Sequence, residues 1–173
     1  MTCHPRLKRS LPPPAPGIVH FGPGAFFRSF LAPYTDEAMS KASGNWGIIA
    51  VSLKSPTTRD LLAPQGCLYT AVERGRKGDI RRRIGAITGV LVASEDPSAV
   101  IDVMVGSDIR IVTLTITEKG YCQNPRDGSL QVTHPDIAHD TTTIDRPRSA
   151  IGYLVLALAR RRDANLPPFT VLS

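Results

Sequence analysis

The sequence predicts an α/β fold, a doubly wound and mostly parallel sheet with an inserted β-hairpin. Short apolar runs of strand length alternate with segments of helical spacing along 173 residues, a length that suits one domain. Two glycines one residue apart, Gly22 and Gly24, follow the first apolar run. A polar, turn-forming stretch at residues 117–121 follows a later run. Both features are typical of the carboxyl edge of a parallel sheet.

The composition favours a globular domain with local groups of positive charge. The chain is 42% hydrophobic, and 21 Lys and Arg against 15 Asp and Glu give a formal net charge of +6. This excess attracts phosphate-bearing ligands without selecting nucleic acid. Cys3, Cys67 and Cys122 share no short spacing, which favours a reducing cytoplasm over a disulfide framework or a thiolate metal site. Since no apolar run is long enough to cross a bilayer, we expect no membrane partner.

The amino-terminal region divides into a leader and the start of the domain. Residues 1–16 carry basic residues and then four prolines, which predict a flexible leader, so the domain is expected to span residues 17–173. Behind the glycine turn, Pro33 would interrupt a helix, because proline lacks the N–H that the preceding turn needs. We therefore expect a kinked helix or two short helices up to about Ser43.

The glycine turn is the strongest local signal in the chain. Gly22 lets the backbone leave the first strand in a tight turn, and Gly24 has no Cβ to keep a pyrophosphate from the following N–H groups. The third glycine of the dinucleotide fingerprint is replaced by Phe27. A tight turn without a ligand therefore stays open as an alternative.

The next elements predict a central strand and the hairpin. Residues 46–53 form a near-continuous apolar run, typical of a buried parallel strand. Residues 68–72 and 80–92 flank a polar turn at 74–78, which predicts an inserted hairpin. The arginines at 81–83 are better explained as the charged face of an edge strand than as a binding patch.

The second half of the chain continues the alternation. Asp96 and Pro97 predict a helix start, and residues 109–116 predict a strand. Residues 123–146 are polar and turn-rich, so we expect a surface loop there. A metal site is a weaker alternative for four residues in that loop: His134, Asp136, His139 and Asp140.

The last elements are a helix and a strand. Pro147 opens the helix, and the arginines at 160–162 close it, where cations complement the helix dipole. Residues 169–173 begin another strand, on which the chain stops, so a further part of the protein is expected beyond it. His20 lies within the first strand, where a hydrogen-bonded structural histidine is favoured over a catalytic one.

The cofactor choice is open from the residues alone. An NAD-binding domain usually carries an acidic residue at the end of its second strand, and here Ser52, Leu53, Lys54 and Ser55 follow instead. Lys54 could meet the 2′-phosphate of NADP. A nucleic-acid-binding basic domain, or another enzyme with an adenosine cofactor such as a methyltransferase, also remains open.

Five segments, in order, resemble the amino-terminal part of the polyol-specific long-chain dehydrogenases, the mannitol dehydrogenase and fructuronate reductase family. These segments are residues 18–28 (IVHFGPGAFFR), 51–60 (VSLKSPTTRD), 67–70 (CLYT), 114–121 (LTITEKGY) and 149–156 (SAIGYLVL). The resemblance implies a Rossmann-like domain of an oxidoreductase that interconverts a sugar alcohol or aldonate and its keto form by metal-independent hydride transfer. It also puts NAD ahead of NADP.

The resemblance also implies the site residues. The cofactor would be held by Phe21, Gly22, Pro23, Gly24, Ala25, Phe26, Ser52, Lys54, Leu114 and Thr115. Glu118 would lie near the nicotinamide as an accessory group. The catalytic residues and the contacts to the sugar would come from a helical carboxyl-terminal domain that this chain lacks, so we expect the chain to be inactive by itself.

Overall fold

The structure, a computed structural model, describes residues 5–173. The strands of this range form a five-stranded parallel sheet and a separate two-stranded hairpin. The strands are β1 (Pro16–Phe21), β2 (Gly47–Ser52), β3 (Tyr69–Gly75), β4 (Gly78–Ile84), β5 (Ile87–Val92), β6 (Ile111–Leu114) and β7 (Thr170–Leu172). The helices are α1 (Ala25–Ser29), α2 (Leu31–Lys41), α3 (Thr57–Leu62), α4 (Pro97–Val105), α5 (Pro135–Thr142) and α6 (Ala150–Asp163).

The main sheet has five parallel strands in the order β5-β2-β1-β6-β7. The chain moves outward from β1 through β2 to β5, then crosses back to β6 on the other side of β1. The strand order therefore reverses between β1 and β6, and in such sheets ligands bind at the carboxyl ends beside the reversal. The predicted doubly wound sheet is confirmed.

Helices cover both faces of this sheet because its strands are apolar on both sides. One face packs against α4 and α6, with Val19, Phe21, Val112 and Tyr153 in its core. The other packs against the helices that follow β1 and β2 and against the hairpin, with Ile18, Phe27, Ile48 and Leu62 in its core. Two separate cores of this kind fix the sheet from both sides.

The hairpin was predicted with one strand too long. The stretch at 80–92 divides into β4, which pairs antiparallel with β3, and β5, which joins the main sheet beside β2. The break falls at Gly85, whose N–H donates to Asp36 Oδ1 at 2.8 Å instead of to a neighbouring strand. The arginines of β4 lie exposed on an edge strand, as predicted, and Arg82 lies 3.4 Å from Glu73.

The first helical segment divides in two, as predicted. Helix α1 ends at Ser29 and α2 begins at Leu31. Pro33 lies in the first turn of α2, where its missing N–H costs nothing, while its ring would clash with the carbonyl of Ser29 in a continuous helix.

The segment at 123–146 is not wholly a loop, since it contains α5. His134 caps this helix, and its Nδ1 accepts the N–H of Asp136 at 3.2 Å. Pro135 occupies the first helical position, where proline favours a helix start. The surface loop predicted for this segment is therefore wrong for residues 135–142.

The arginines that close α6 do not all serve the helix dipole. Arg161 is only 1% exposed, and its guanidinium donates to three backbone carbonyls: Met104 O at 3.0 Å, Gly106 O at 2.8 Å and Pro167 O at 2.7 Å. Arg160, in contrast, is exposed and lies 3.5 Å from Asp145. The prediction of a dipole role is therefore wrong for Arg161, which ties the end of α4 to the segment before β7.

The described part of the leader, residues 5–15, has no helix or strand. Its Arg9 nevertheless contacts the domain, donating to Gly66 O at 2.6 Å, Gly85 O at 2.8 Å and Ile87 O at 2.6 Å. The flexibility expected for the leader stays a prediction, and its residues 1–4 lie outside the described range. Among the described helices, none is long and apolar enough to cross a membrane.

Candidate functional site

The glycine turn follows β1 at the carboxyl edge of the sheet, and its two glycines have different physical roles. Gly22 has φ +92°, and a Cβ there would lie 2.6 Å from the carbonyl oxygen of Thr115. The fold itself requires glycine at this position. Gly24 has an ordinary φ of −73°, and a Cβ there would meet no protein atom closer than Gly22 O at 3.9 Å. Packing of the described residues gives no reason for glycine at 24, so the missing side chain leaves room for something outside the protein.

The buried side chain of His20 holds the glycine turn from the core side. Its side chain is fully buried, and Nε2 lies 3.2 Å from Gly22 O and 3.0 Å from Thr115 Oγ1, while Nδ1 lies 2.6 Å from Thr113 Oγ1. Because the Gly22 carbonyl only accepts, the network assigns the proton to Nε2, and the Thr113 hydroxyl donates to Nδ1. Burial lowers the pKa of His20 from 6.5 to about 4, against a smaller opposing effect of the bond to Gly22. The imidazole is therefore neutral at pH 7, and its role is structural, as predicted: it holds the Gly22 carbonyl in place.

Phe27 explains why the glycine fingerprint is incomplete. A third glycine normally lets the helix pack closely on the first strand. Here the Phe27 ring is buried and stacks on the His20 imidazole, with centroids 3.7 Å apart and planes 10° from parallel. The helix therefore docks through this aromatic pair.

A cleft of about 540 Å³ opens above the turn, where the strand order reverses. Its walls come from the residues that follow β1, β2 and β6, and from the segment around α5 and the start of α6. Its lining residues are Gly22, Pro23, Gly24, Ser52, Leu53, Lys54, Ser55, Thr58, Thr115, Ile116, Thr117, Lys119, Gly120, Cys122, His134, Asp136, Arg148 and Ser149.

A second cleft, of about 660 Å³, adjoins the first on the side of β2 and β5. The two share four lining residues: Leu53, Lys54, Asp136 and Arg148. In doubly wound sheets the first half of the strand order carries the adenosine side of a dinucleotide. Together the two clefts offer a continuous path along the carboxyl edge, from β5 to β6, that suits an extended dinucleotide.

The structure brings together six of the residues predicted for the cofactor: Gly22, Pro23, Gly24, Ser52, Lys54 and Thr115. It places the other four outside the cleft lining. Phe21 and Leu114 are buried in the core beneath, while Ala25 and Phe26 are exposed on α1. Glu118 is exposed in a 3₁₀ turn beside the cleft. The cofactor and accessory roles of these residues stay predictions.

Sequence reasoning missed the wall contributed by α5 and the start of α6. Asp140 organises this wall by accepting from Arg148 N at 2.7 Å, Ser149 N at 2.9 Å and Ser149 Oγ at 2.6 Å. Although burial raises the pKa of Asp140, these hydrogen bonds outweigh it and hold the pKa below its usual value. The signal in the sequence was His134 followed by Pro135, a capping residue before a first-turn proline.

The chain matches the profile described as "Mannitol dehydrogenase Rossmann domain" over residues 16–173. It belongs to this family. The resemblance seen in the sequence is thereby confirmed, and the family match agrees with the glycine turn at the sheet edge.

Relatives within the mannitol dehydrogenase family are much longer than this chain. A mannitol 2-dehydrogenase of Pyrenophora tritici-repentis is 44% identical over 160 residues, which cover 91% of this chain and 28% of the relative. An uncharacterized oxidoreductase of Escherichia coli K12, YeiQ, is 45% identical over 158 residues, 90% of this chain and 32% of the relative. The chain therefore spans about a third of the length of these proteins.

Two solved structures share the fold. D-sorbitol dehydrogenase in substrate-free form superposes with a TM-score of 0.87 at 36% identity, covering 91% of this chain and 34% of that one. The Pseudomonas fluorescens mannitol 2-dehydrogenase, in a ternary complex with NAD and D-mannitol, gives a TM-score of 0.86 at 40% identity, covering 91% and 33%. These neighbours are dehydrogenases, so neither the nucleic-acid nor the methyltransferase alternative is favoured.

Proposed function

We propose that this domain binds NAD along the carboxyl edge of its sheet and forms the cofactor half of an oxidoreductase acting on sugar alcohols. The observation that carries the proposal is Gly24, which lacks a side chain where the described protein would leave space for one. A diphosphate lying against this residue would meet the first N–H groups of α1, which have no partner within the helix.

The remaining residues of the cleft support this use. The Gly22 carbonyl is held by the buried His20 and by the Thr115 hydroxyl, which donates to it at 2.9 Å, so the turn is rigid before any ligand arrives. Ser52 and Thr58 contribute hydroxyls beside it. When bound, NAD accepts the hydride released from the substrate carbon.

The finer features of the reaction are proposals from the family resemblance. We propose that the transfer needs no metal ion, that the substrate class extends from sugar alcohols to aldonates, and that Glu118 assists from the cleft rim. We place the protein in the cytoplasm, which agrees with two free buried thiols, Cys67 and Cys122. The base that removes the alcohol proton is proposed to lie outside these 173 residues, so the chain alone should turn nothing over.

The direct test is calorimetric titration of the purified chain with NADH, NADPH and S-adenosylmethionine. Calorimetry is preferable to quenching of Trp46, because that residue precedes β2 at the opposite edge of the sheet. We expect NADH to bind, NADPH to bind more weakly and S-adenosylmethionine not to compete. Failure to bind NADH, or tighter binding of S-adenosylmethionine, would contradict the proposal.

Oxidation of mannitol or mannonate by the purified chain would contradict the proposed division of labour. The assay is NADH formation at 340 nm with EDTA present, in which no turnover is expected. A full-length relative measured in the same buffer is the positive control, and its activity should survive EDTA.

A further inference from the structure

We propose that Asp136 on α5 selects NAD over NADP by accepting hydrogen bonds from the hydroxyl groups of the adenosine ribose. This inference rests on the proposed function. In dinucleotide-binding sheets this acceptor is usually a carboxylate at the end of the second strand. Here β2 ends at Ser52, and residues 53–55 bring no acid.

Asp136 supplies a carboxylate at that place from a distant part of the chain. Its Oδ2 lies 3.2 Å from Nζ of Lys54, the second residue beyond β2. Among residues 5–173, it is the one carboxylate that lines the cleft above the glycine turn. It also lines the adjoining cleft between β2 and β5, where the adenosine side of a dinucleotide is expected. Asp136 thus lies at the junction of the two clefts.

The carboxylate is held in place yet keeps room for a ligand. Its backbone N–H is fixed by His134 Nδ1 in the first turn of α5. Its side chain is 21% exposed, against 74% for Lys54, so the acid is the more enclosed member of the pair. An ionised carboxylate offers about four acceptor sites, and the bond from Lys54 occupies one of them. The remaining sites suffice for the two hydroxyls of a ribose.

The same pair discriminates against a 2′-phosphate. Lys54, the cation that follows β2, is already paired with Asp136, and Arg148 is the other cation that lines both clefts. A phosphate at the 2′ position would therefore lie beside a carboxylate and replace the hydroxyl that the carboxylate needs as a donor. Lys54, which from the sequence could meet the 2′-phosphate of NADP, is thus part of an arrangement that favours NAD.

The test is calorimetric titration of the chain with NAD and NADP after Asp136→Ala. Asp163→Ala is the matched control, because it removes an equally charged acid that pairs with Arg162 at the far end of α6. Thermal melting checks that each variant folds. Should Asp136→Ala not fold, Asp136→Asn replaces it, judged by the same ratio of dissociation constants.

Asp136→Ala should weaken NAD binding by about tenfold or more, since hydrogen bonds to a charged acceptor are lost. The freed Lys54 should then lower the ratio of the NADP to the NAD dissociation constant by at least about tenfold. Asp163→Ala should leave the dissociation constants of both cofactors within about threefold, because it removes an exposed ion pair that lies outside both clefts.

An unchanged ratio in folded Asp136→Ala, with normal NAD binding by the unchanged chain, would overturn this inference and leave the proposed function standing. A change in NADP binding alone, with NAD unaffected, would also overturn it, since Asp136 would then be only a partner of Lys54. No binding of NAD to the unchanged chain would overturn the proposed function and the inference together.

Discussion

At each edge of the parallel sheet a large buried polar side chain contacts backbone carbonyls, and the two side chains have opposite effects. At the carboxyl edge, neutral His20 supports the Gly22 carbonyl and leaves an open cleft above it. At the amino edge, Arg161 fills the space between α4 and β7 and donates its hydrogen bonds to backbone carbonyls.

The difference separates a binding edge from a structural edge. A buried guanidinium cannot release its proton in a protein, so the amino edge has one state at all working pH values. A buried imidazole can be protonated by acid, so the carboxyl edge loses stability when His20 becomes charged. The edge that is rigid but open is the one that can receive a ligand.

The largest expected effect is at the amino edge. Arg161→Met should destabilise the domain by about 3–5 kcal/mol, because three carbonyls lose their donor, and one of these bonds is buried and the other two are half-buried. Arg160→Met is the matched control and should cost less than about 1 kcal/mol, since the ion pair of Arg160 with Asp145 is exposed. Urea unfolding at pH 7 measures both, and equal losses would contradict the structural role of Arg161.

The carboxyl edge should respond to acid through His20. The imidazole binds its proton near pH 6.5 when the chain is unfolded and near pH 4 when it is folded. Between these values the unfolded state holds more protons, so stability should fall by roughly 3 kcal/mol as the pH drops from 6.5 to 4.

Urea unfolding at several pH values in this window measures that loss. His20→Gln is the comparison, because it keeps an amide for the hydrogen bonds but cannot titrate. Its stability should change much less over the same range. A slope that persists undiminished in the variant would assign the acid sensitivity to other groups.

A smaller effect is expected at the glycine turn, and it separates the two glycines. Gly22→Ala should cost about 2–3 kcal/mol, since alanine is strained at φ +92° and its Cβ would press on the Thr115 carbonyl. Gly24→Ala should cost less than about 1 kcal/mol, because the backbone there is ordinary and the space is free. Thermal unfolding measures both, and similar costs would remove the distinction between a glycine kept for the fold and one kept for a ligand.

The sequence allowed the sheet and the glycine turn to be predicted because both depend on local patterns. Apolar runs such as β2 and the adjacent glycines of the turn carry their own signal. The paths of residues 80–92 and 123–146 could not be predicted in the same way. The division between β4 and β5 depends on a contact from Gly85 to Asp36, 49 residues away. Such contacts leave no periodicity in the sequence.

The site was predicted in its first half only, for the same reason. The turn and the ends of β2 and β6 were found, while Asp136 reaches Lys54 across 82 residues. The dipole role was predicted for Arg161 because the sequence alone does not show which of three consecutive arginines is buried. Its buried position is set by Met104 and Pro167, which only the folded chain brings together.

NADH binding by Gly24→Val, measured by calorimetry beside its melting temperature, tests most directly whether the diphosphate lies against Gly24. We expect a melting temperature close to that of the unchanged chain and NADH binding weakened by about tenfold or more, because the valine side chain would occupy the place of the diphosphate. A folded Gly24→Val domain that binds NADH as tightly as the unchanged chain would contradict this placement of the diphosphate.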